Sequence, residues 1–135
     1  MMKVMLVDDD PIFTFLFQKL LEQYPDVDLE FENFPDGYNA VEFFRENKNN
    51  KISYPEVLFI DINMPLMNGW ELIKAINEEN LFGNEKVKMY IISSSISKAD
   101  FNNSKQQINS IEYLTKPISH QQLFSALNKT IHRIS

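Results

Sequence analysis

The sequence contains no cysteine, and its basic residues are outnumbered by its acidic ones. Without cysteine there is neither a disulfide nor a metal site with thiolate ligands, which fits a reducing compartment such as the cytoplasm. The 13 Lys and Arg residues against 19 Asp and Glu residues give a formal net charge of −6. Because binding to a nucleic-acid backbone depends on clustered positive charge, we do not expect direct nucleic-acid binding.

Long apolar segments are also missing. No run approaches the roughly 18 consecutive apolar residues of a membrane-spanning helix, so membrane insertion is not expected. The first residues carry a single Lys before a short apolar stretch that ends in three acids, which is unlike a secretory signal peptide. We therefore expect a cytoplasmic protein.

The sequence does have a high apolar content in a short chain. With 44% hydrophobic residues among 135, it is long enough to bury a sizeable core but leaves no room for a second folded domain. We expect a single domain over residues 1–135, without a separate output domain.

Short apolar runs alternate with longer segments of helical periodicity. Four of the runs are apolar nearly throughout, as expected of strands buried on both faces of a parallel sheet. They are KVMLV (3–7), EVLFI (56–60), VKMYII (87–92) and IEYL (111–114). In a fifth run, VDLEFENF (27–34), apolar residues alternate with acidic ones, so one face would contact water and the strand is predicted at an edge of the sheet.

The segments between the strands predict helices. The periodicity indicates them at 11–23, 38–47, 70–81 and 120–134, and the first begins with Pro11, a favourable residue at a helix start. The buried face of this first helix is predicted to contain Ile12, Phe13, Leu16, Leu20 and Leu21. Segment 98–109 has few apolar residues, so only a short, marginal helix is predicted there.

The regular alternation of strand and helix predicts an α/β fold, an open, doubly wound five-stranded parallel sheet with helices on both faces. In such sheets ligands bind beyond the carboxyl ends of the strands. The residues that follow the predicted strands therefore form a candidate site. They are Asp8, Asp9 and Asp10 after the first strand, Asp61 after the third, Ser93, Ser94 and Ser95 after the fourth, and Lys116 after the fifth.

Adjacent carboxylates at such an edge imply a cation. Two carboxylates about 4 Å apart repel by roughly 4 kcal/mol at an effective dielectric of about 20, so the cluster is unfavourable unless a cation binds. Oxygen ligands with few other donors suit Mg²⁺, and Mn²⁺ could replace it. A carboxylate beside such a metal can attack phosphorus to give an aspartyl phosphate, while Lys116 and a hydroxyl stabilise the transferred group.

Three motifs occur in order at the predicted strand ends: LVDDD (6–10), DINMPLMNGWEL (61–72) and YLTKP (113–117). Together they resemble the receiver domain of two-component response regulators in its single-domain, chemotaxis-regulator-like form. The resemblance extends from Lys3 to about Ile134. It implies a flavodoxin-like fold of three layers with strand order 2-1-3-4-5, and the function of a stand-alone receiver in a two-component phosphorelay.

The resemblance also implies roles for individual residues. Asp61 would accept a phosphoryl group from a sensor histidine kinase or a histidine phosphotransfer protein, and Lys116 would contact that group. The side chains of Asp9 and Asp61 and the backbone carbonyl of Asn63 would bind Mg²⁺. Asp8 would act on the metal through a bound water.

Signalling in this family depends on a hydroxyl and an aromatic residue. The separation from the lysine favours Ser94 as the switch hydroxyl, with Ser93 as the alternative. Tyr113 matches the aromatic switch, although a partly buried Tyr is also common in strands without any such role. Phosphorylation would change the face formed by the last two predicted helices and the strand between them, which an unidentified downstream protein would recognise.

Other residues of the motifs are assigned structural roles. Asp10 is predicted to cap the helix that starts at Pro11, because a carboxylate there accepts backbone N–H bonds. Gly69 is predicted to allow a backbone conformation that a β-carbon would oppose. The resemblance implies a cis peptide bond between Lys116 and Pro117.

Two other hypotheses fit the residues less well. An Asp-based phosphatase of the haloacid dehalogenase type shares a nucleophilic Asp and Mg²⁺, but it needs a second Asp where this sequence has Asn63, and it usually carries a cap insertion. A pseudo-receiver that only binds partners is disfavoured by the presence of Asp9, Asp61 and Lys116. We expect a signalling phosphoacceptor rather than an enzyme with turnover.

Overall fold

The structure, a computed structural model, describes residues 2–25, 27–94 and 111–134. Five strands in these ranges form one sheet: Met2–Val7 (β1), Leu29–Phe34 (β2), Val57–Asp61 (β3), Lys88–Ser93 (β4) and Glu112–Thr115 (β5). Neighbouring strands are parallel, in the order β2-β1-β3-β4-β5. The predicted doubly wound, flavodoxin-like sheet is confirmed, and β2 lies at an edge as its alternating sequence predicts.

Four α-helices are described: Pro11–Glu22 (α1), Gly37–Glu46 (α2), Gly69–Glu78 (α3) and His120–Ile134 (α4). A single 3₁₀ turn, Lys51–Ser53, precedes β3. The helices begin and end close to their predicted bounds, whereas the marginal helix predicted at 98–109 lies outside the described residues. Within the described ranges, no helix has both the length and the hydropathy that crossing a membrane requires.

The sheet separates two apolar cores, and successive residues of a buried strand point into different ones. From β1, Met5 and Val7 pack with α2 and α3, whereas Val4 and Leu6 pack with α1 and α4. The residues of β3 alternate in the same way. The interior residues of the central strands are apolar because both faces of these strands are buried, and the polar residues lie at or near the strand ends.

The rotation of α1 differs from the prediction. Phe13, Phe17 and Leu21 form its buried face, while Ile12 and Leu16 are 71% and 55% exposed. Apolar residues occur around most of the circumference of this helix, so periodicity alone did not identify the side that faces the sheet. The predicted buried face of α1 was therefore wrong, because the observed buried face is rotated from it by part of a helical turn.

Candidate functional site

The ends of three strands bring the predicted acids and lysine together at the carboxyl edge of the sheet. Asp8 directly follows β1, Asp61 is the last residue of β3, and Lys116 directly follows β5. Val7 is aligned with Ile60 in the parallel pairing of β1 with β3, so the next residues, Asp8 and Asp61, end side by side. The prediction that these residues lie close together at one edge of the sheet is confirmed.

Three carboxylates form the acid cluster, which comprises Asp8, Asp9 and Asp61. One oxygen from each lies within 4.8 Å of the others. Asp8 and Asp61 are buried, at 2% and 5% exposure, while Asp9 is exposed to solvent. Two of the three charges are therefore removed from water and from its screening.

Lys116 lies between the two buried acids. Its Nζ is 2.9 Å from Oδ2 of Asp8 and 3.7 Å from Oδ2 of Asp61. Its backbone N–H donates to the carbonyl of Ser93 at 2.8 Å, and the peptide bond to Pro117 is cis, as the resemblance implied. One ammonium thus faces two buried carboxylates.

The pKa values of the two buried acids reflect how unfavourable this arrangement is for their charged forms. Burial raises the pKa of Asp61 to about 6, and the charge of Asp8 adds to the effect while Lys116 opposes it. Burial also raises the pKa of Asp8, although the backbone N–H of Asp10 and the Lys116 ammonium favour its charged form. Lys116 therefore does not compensate the burial of both charges, and a further cation would be favoured here.

The donors in the acid cluster suit a metal ion. All three side chains offer carboxylate oxygens, and hard oxygen ligands are the type that Mg²⁺ and Mn²⁺ prefer. The backbone of Asn63 is adjacent, since its N–H donates to Oδ1 of Asp61 at 3.4 Å. The uncompensated charge and the ligand type both fit a divalent cation.

Asp10 stands apart from the acid cluster. Its Oδ1 accepts the backbone N–H groups of Ile12 and Phe13 at 2.9 and 3.3 Å, so it caps α1 as predicted. Its own N–H donates to Oδ1 of Asp8 at 2.9 Å. The third aspartate thus fixes both the start of the helix and the orientation of a carboxylate in the cluster.

Gly69 shapes the loop between β3 and α3, where a β-carbon is opposed as predicted. Its φ is not left-handed; instead, a β-carbon there would lie 2.7 Å from the carbonyl oxygen of Asp61. Its N–H donates to the carbonyl of Ile62 at 2.9 Å, which closes the loop onto the strand end. A close backbone approach beside Asp61 therefore requires glycine.

The two predicted switch residues, Ser94 and Tyr113, lie just beyond β4 and on β5. Ser93 is buried as the last residue of β4, and Ser94 is exposed just beyond it. The Tyr113 ring on β5 is partly buried, with its centroid 6.0 Å from that of Trp70 in an edge-on arrangement. Their assignment as switch residues stays a prediction.

Sequence reasoning missed two contacts in this region. It did not foresee the ion pair between Lys116 and Asp8, or the position of Phe13, whose ring centroid lies 4.4 Å from the Lys116 Nζ. The helical periodicity predicts Phe13 only as a core residue. Its position three residues after Asp10, in the first turn of a helix that starts beside the acids, was the available signal.

Known proteins resemble this chain over nearly its whole length. The sequence profile of the response regulator receiver domain matches residues 4–128. Protein PilH of Pseudomonas aeruginosa is 26% identical over 131 residues, which cover 97% of this chain and 98% of PilH. The transcriptional regulatory protein BtsR of Salmonella typhi is 28% identical over 136 residues, which cover 99% of this chain but 48% of BtsR. The chain thus spans about half the length of BtsR.

The fold is also found among solved structures. A crystal structure of a two component response regulator from Cytophaga hutchinsonii is 27% identical to this chain, with a TM-score of 0.78. The match covers 96% of each chain. Sequence and fold comparisons therefore agree over the residues that form the site.

Proposed function

The chain belongs to the response regulator receiver family, and we propose that it acts in the cytoplasm as a phosphorylation-controlled module of two-component signalling. In this proposal, Asp61 accepts a phosphoryl group from the phosphohistidine of a sensor histidine kinase or a histidine phosphotransfer protein. The resulting aspartyl phosphate changes the surface that a downstream protein recognises.

The observation that carries the proposal is the environment of Asp61. Its carboxylate is buried at the end of β3, with Oδ2 3.7 Å from the Lys116 ammonium. A pKa of about 6 leaves it mostly ionised at neutral pH but more basic than an ordinary Asp. Such a carboxylate is available as a nucleophile, and its surroundings favour the arrival of positive charge.

The proposed reaction exchanges one bond to phosphorus for another. A carboxylate oxygen of Asp61 forms a bond to phosphorus, and the bond from phosphorus to the imidazole nitrogen breaks. The electron pair of that bond remains on the imidazole, which takes up a proton. Later, a water oxygen bonds to the same phosphorus, Asp61 leaves as a carboxylate, and inorganic phosphate is released.

Mg²⁺ is the proposed cofactor. The side chains of Asp9 and Asp61 and the backbone carbonyl of Asn63 would hold it, with Asp8 acting through a bound water. When bound, the ion would neutralise charge on the transferred phosphoryl group. Asp8 and Asp61 would then no longer depend on Lys116 alone for compensation.

Lys116 would supply the second positive charge. Its Nζ already lies near the attacking oxygen atoms, 3.7 Å from Oδ2 of Asp61, and its ammonium carries three N–H donors. Placed there, it would donate to an oxygen of the transferred group in the transition state. Ser94, exposed just beyond β4, is the proposed hydroxyl donor to another of these oxygens.

The proposed output is a change in population between two arrangements of the surface around β5 and α4. Tyr113 is the proposed aromatic residue of this change, and its partly buried ring on β5, which contacts Trp70, supports this. A hydroxyl that moves toward the phosphoryl group would open space for this ring. The downstream partner would read the changed surface.

The test is phosphorylation by a small donor. The protein is incubated with phosphoramidate and Mg²⁺, and its intact mass is followed by mass spectrometry. We expect an acid-stable, base-labile gain of one phosphoryl group per chain, which is absent when Mg²⁺ is chelated and in the Asp61→Asn variant. An adduct that forms equally in Asp61→Asn would contradict the proposal, and continuous release of phosphate at a rate unaffected by this substitution would indicate a different enzyme chemistry.

A further inference from the structure

An aromatic ring lies against the lysine of the site. The Nζ of Lys116 is 4.4 Å from the centroid of the Phe13 ring, well within the distance at which an ammonium is attracted by the ring face. The Lys116 side chain is only 17% exposed, so water does not fully screen this contact. Phe13 thus contributes to the surroundings of the ammonium together with Asp8 and Asp61.

The ring is held in place by its neighbours. Phe13 lies in the first turn of α1, where its backbone N–H donates to Oδ1 of Asp10. Its ring packs 5.9 Å from that of Phe17, which packs 5.0 Å from that of Phe59 in the centre of the sheet. A buried aromatic cluster and a helix cap therefore fix the position of Phe13.

The Phe13 ring attracts the Lys116 ammonium without occupying the N–H donors of that ammonium. A carboxylate neutralises the charge and competes for the N–H groups, and Asp8 forms such an ion pair with the ammonium at 2.9 Å. A ring face attracts the cation through its quadrupole and leaves the N–H groups free for oxygen atoms. Lys116 needs such a support because its flexible stem has four carbons and Asp8 attracts it more closely than Asp61 does.

We propose that Phe13 is a positioning residue, whose ring holds the Lys116 ammonium beside Asp61 for phosphoryl transfer. This role rests on the proposed function of Asp61 and Lys116. When a phosphoryl group arrives, the ammonium turns its donors to that group while the ring continues to limit its position. Asp10 contributes indirectly, because it caps the helix turn that carries the ring.

The contact itself is tested by NMR without metal or phosphoryl donor. Protons over a ring face resonate upfield, so the ε-methylene of Lys116 should be shifted upfield in the wild type and return toward the position of an exposed lysine in Phe13→Leu. Phe44→Leu removes a buried ring on the opposite face of the sheet and serves as the control that leaves the shift in place. A wild-type signal at the ordinary position would overturn the proposal.

The role in transfer is tested by a double-mutant cycle with phosphoramidate and Mg²⁺. We expect Phe13→Leu to slow phosphorylation about fivefold to tenfold, Phe13→Tyr to keep the wild-type rate, and Phe44→Leu to lower the melting temperature without slowing the reaction. In a Lys116→Met background, Phe13→Leu should cause no further slowing, because its effect acts through the lysine.

The outcomes separate this role from the proposed function. Equal slowing by Phe13→Leu with and without Lys116, or no slowing at all, overturns the positioning role while leaving Asp61 as the acceptor. A wild-type protein that forms no adduct overturns both. If Phe13→Leu does not fold, Phe13→Met replaces it in the same cycle, since Met keeps most of the apolar volume and lacks the ring.

Discussion

Two groups of acidic side chains in this domain have pKa values shifted in opposite directions. On the surface, Arg45 donates to Glu79 through Nε at 2.8 Å and Nη2 at 2.6 Å, and to Glu42 through Nη1 at 3.0 Å. The bonds and the charge from Arg45 lower the pKa of Glu79. At the carboxyl edge of the sheet, burial raises the pKa of Asp61 to about 6 even though Lys116 is near.

The difference lies in burial and in the balance of charge. Arg45 and its two partners are about half exposed, so water solvates them and screens their interaction. Asp8 and Asp61 are buried and share one ammonium. The charges of the surface group are compensated by Arg45, whereas the acid cluster retains uncompensated negative charge that a bound cation would neutralise.

The largest expected effect comes from removing the lysine of the site. Lys116→Met should slow phosphorylation of Asp61 by phosphoramidate about a hundredfold or more, since it removes the proposed donor to the transferred group. Arg45→Met, which removes the cation of the surface group, should leave the rate unchanged. Time courses of intact mass with Mg²⁺ measure both, and equal slowing of the two variants would show that only net charge matters.

A tight backbone contact at Gly69 should make the stability of the fold sensitive to one added methyl group. In Gly69→Ala, the new β-carbon would lie 2.7 Å from the Asp61 carbonyl oxygen. We expect the free energy of unfolding in urea to fall by about 1 to 3 kcal/mol, the usual cost of overpacking. Gly83→Asn is the control, because Gly83 has a φ of +58° in open space and Asn tolerates that conformation. A smaller loss of unfolding free energy in Gly69→Ala than in Gly83→Asn would contradict the conclusion that a β-carbon overpacks at position 69.

Removing the charge of Asp61 should stabilise the metal-free protein. Because the pKa of Asp61 is raised by burial and by Asp8, its ionised form destabilises the fold at neutral pH. We expect Asp61→Asn to raise the free energy of unfolding by about 1 to 2 kcal/mol at pH 7 with a chelator present. A loss of stability would show that Lys116 compensates the charge fully.

The same substitution has a predictable pH dependence. The folded-state pKa of Asp61, about 6, lies above its ordinary value of 3.8, so between these values the folded protein holds a proton that the unfolded chain lacks. The destabilisation by Asp61 is therefore present above pH 6 and is lost as the pH falls toward 4. The advantage of Asp61→Asn in urea denaturation should shrink over that window, and an advantage that grows on acidification would refute the charge origin.

The smallest effect is expected at the surface group. Glu79→Gln removes one acid from a half-exposed ion pair, which water and salt already screen. We expect a slight loss of stability at low ionic strength that disappears at high salt, with no change in the phosphorylation rate. A large, salt-independent loss would remove the contrast between the two groups.

Much of the site was predictable because parallel strands end at one edge. The apolar runs before Asp8, Asp61 and Lys116 located three of the strands, and the fold rule then placed these residues together. Asp10 was separable from its neighbours because a carboxylate before Pro11 is a helix-capping signal. Local patterns and topology were sufficient for these conclusions.

Other features depend on the orientation of side chains and on close contacts between segments. The residue types alone do not determine these. The buried side of α1 was ambiguous because Ile12, Phe13 and Leu16 are all apolar, and only packing on the sheet selects Phe13. The requirement for Gly69 arises from contact with the Asp61 carbonyl rather than from its own φ. The position of Lys116 over Phe13 follows from both elements and could not be found in either segment alone.

The most direct measurement of the central claim is chemical localisation of the phosphoryl group. After reaction with phosphoramidate and Mg²⁺, borohydride reduces an aspartyl phosphate to homoserine, which peptide mass mapping places in the sequence. We predict homoserine at position 61 alone, in an amount that follows the adduct and disappears when Mg²⁺ is chelated. Homoserine at position 8 or 9, or a phosphorylated protein that borohydride does not modify, would contradict the account.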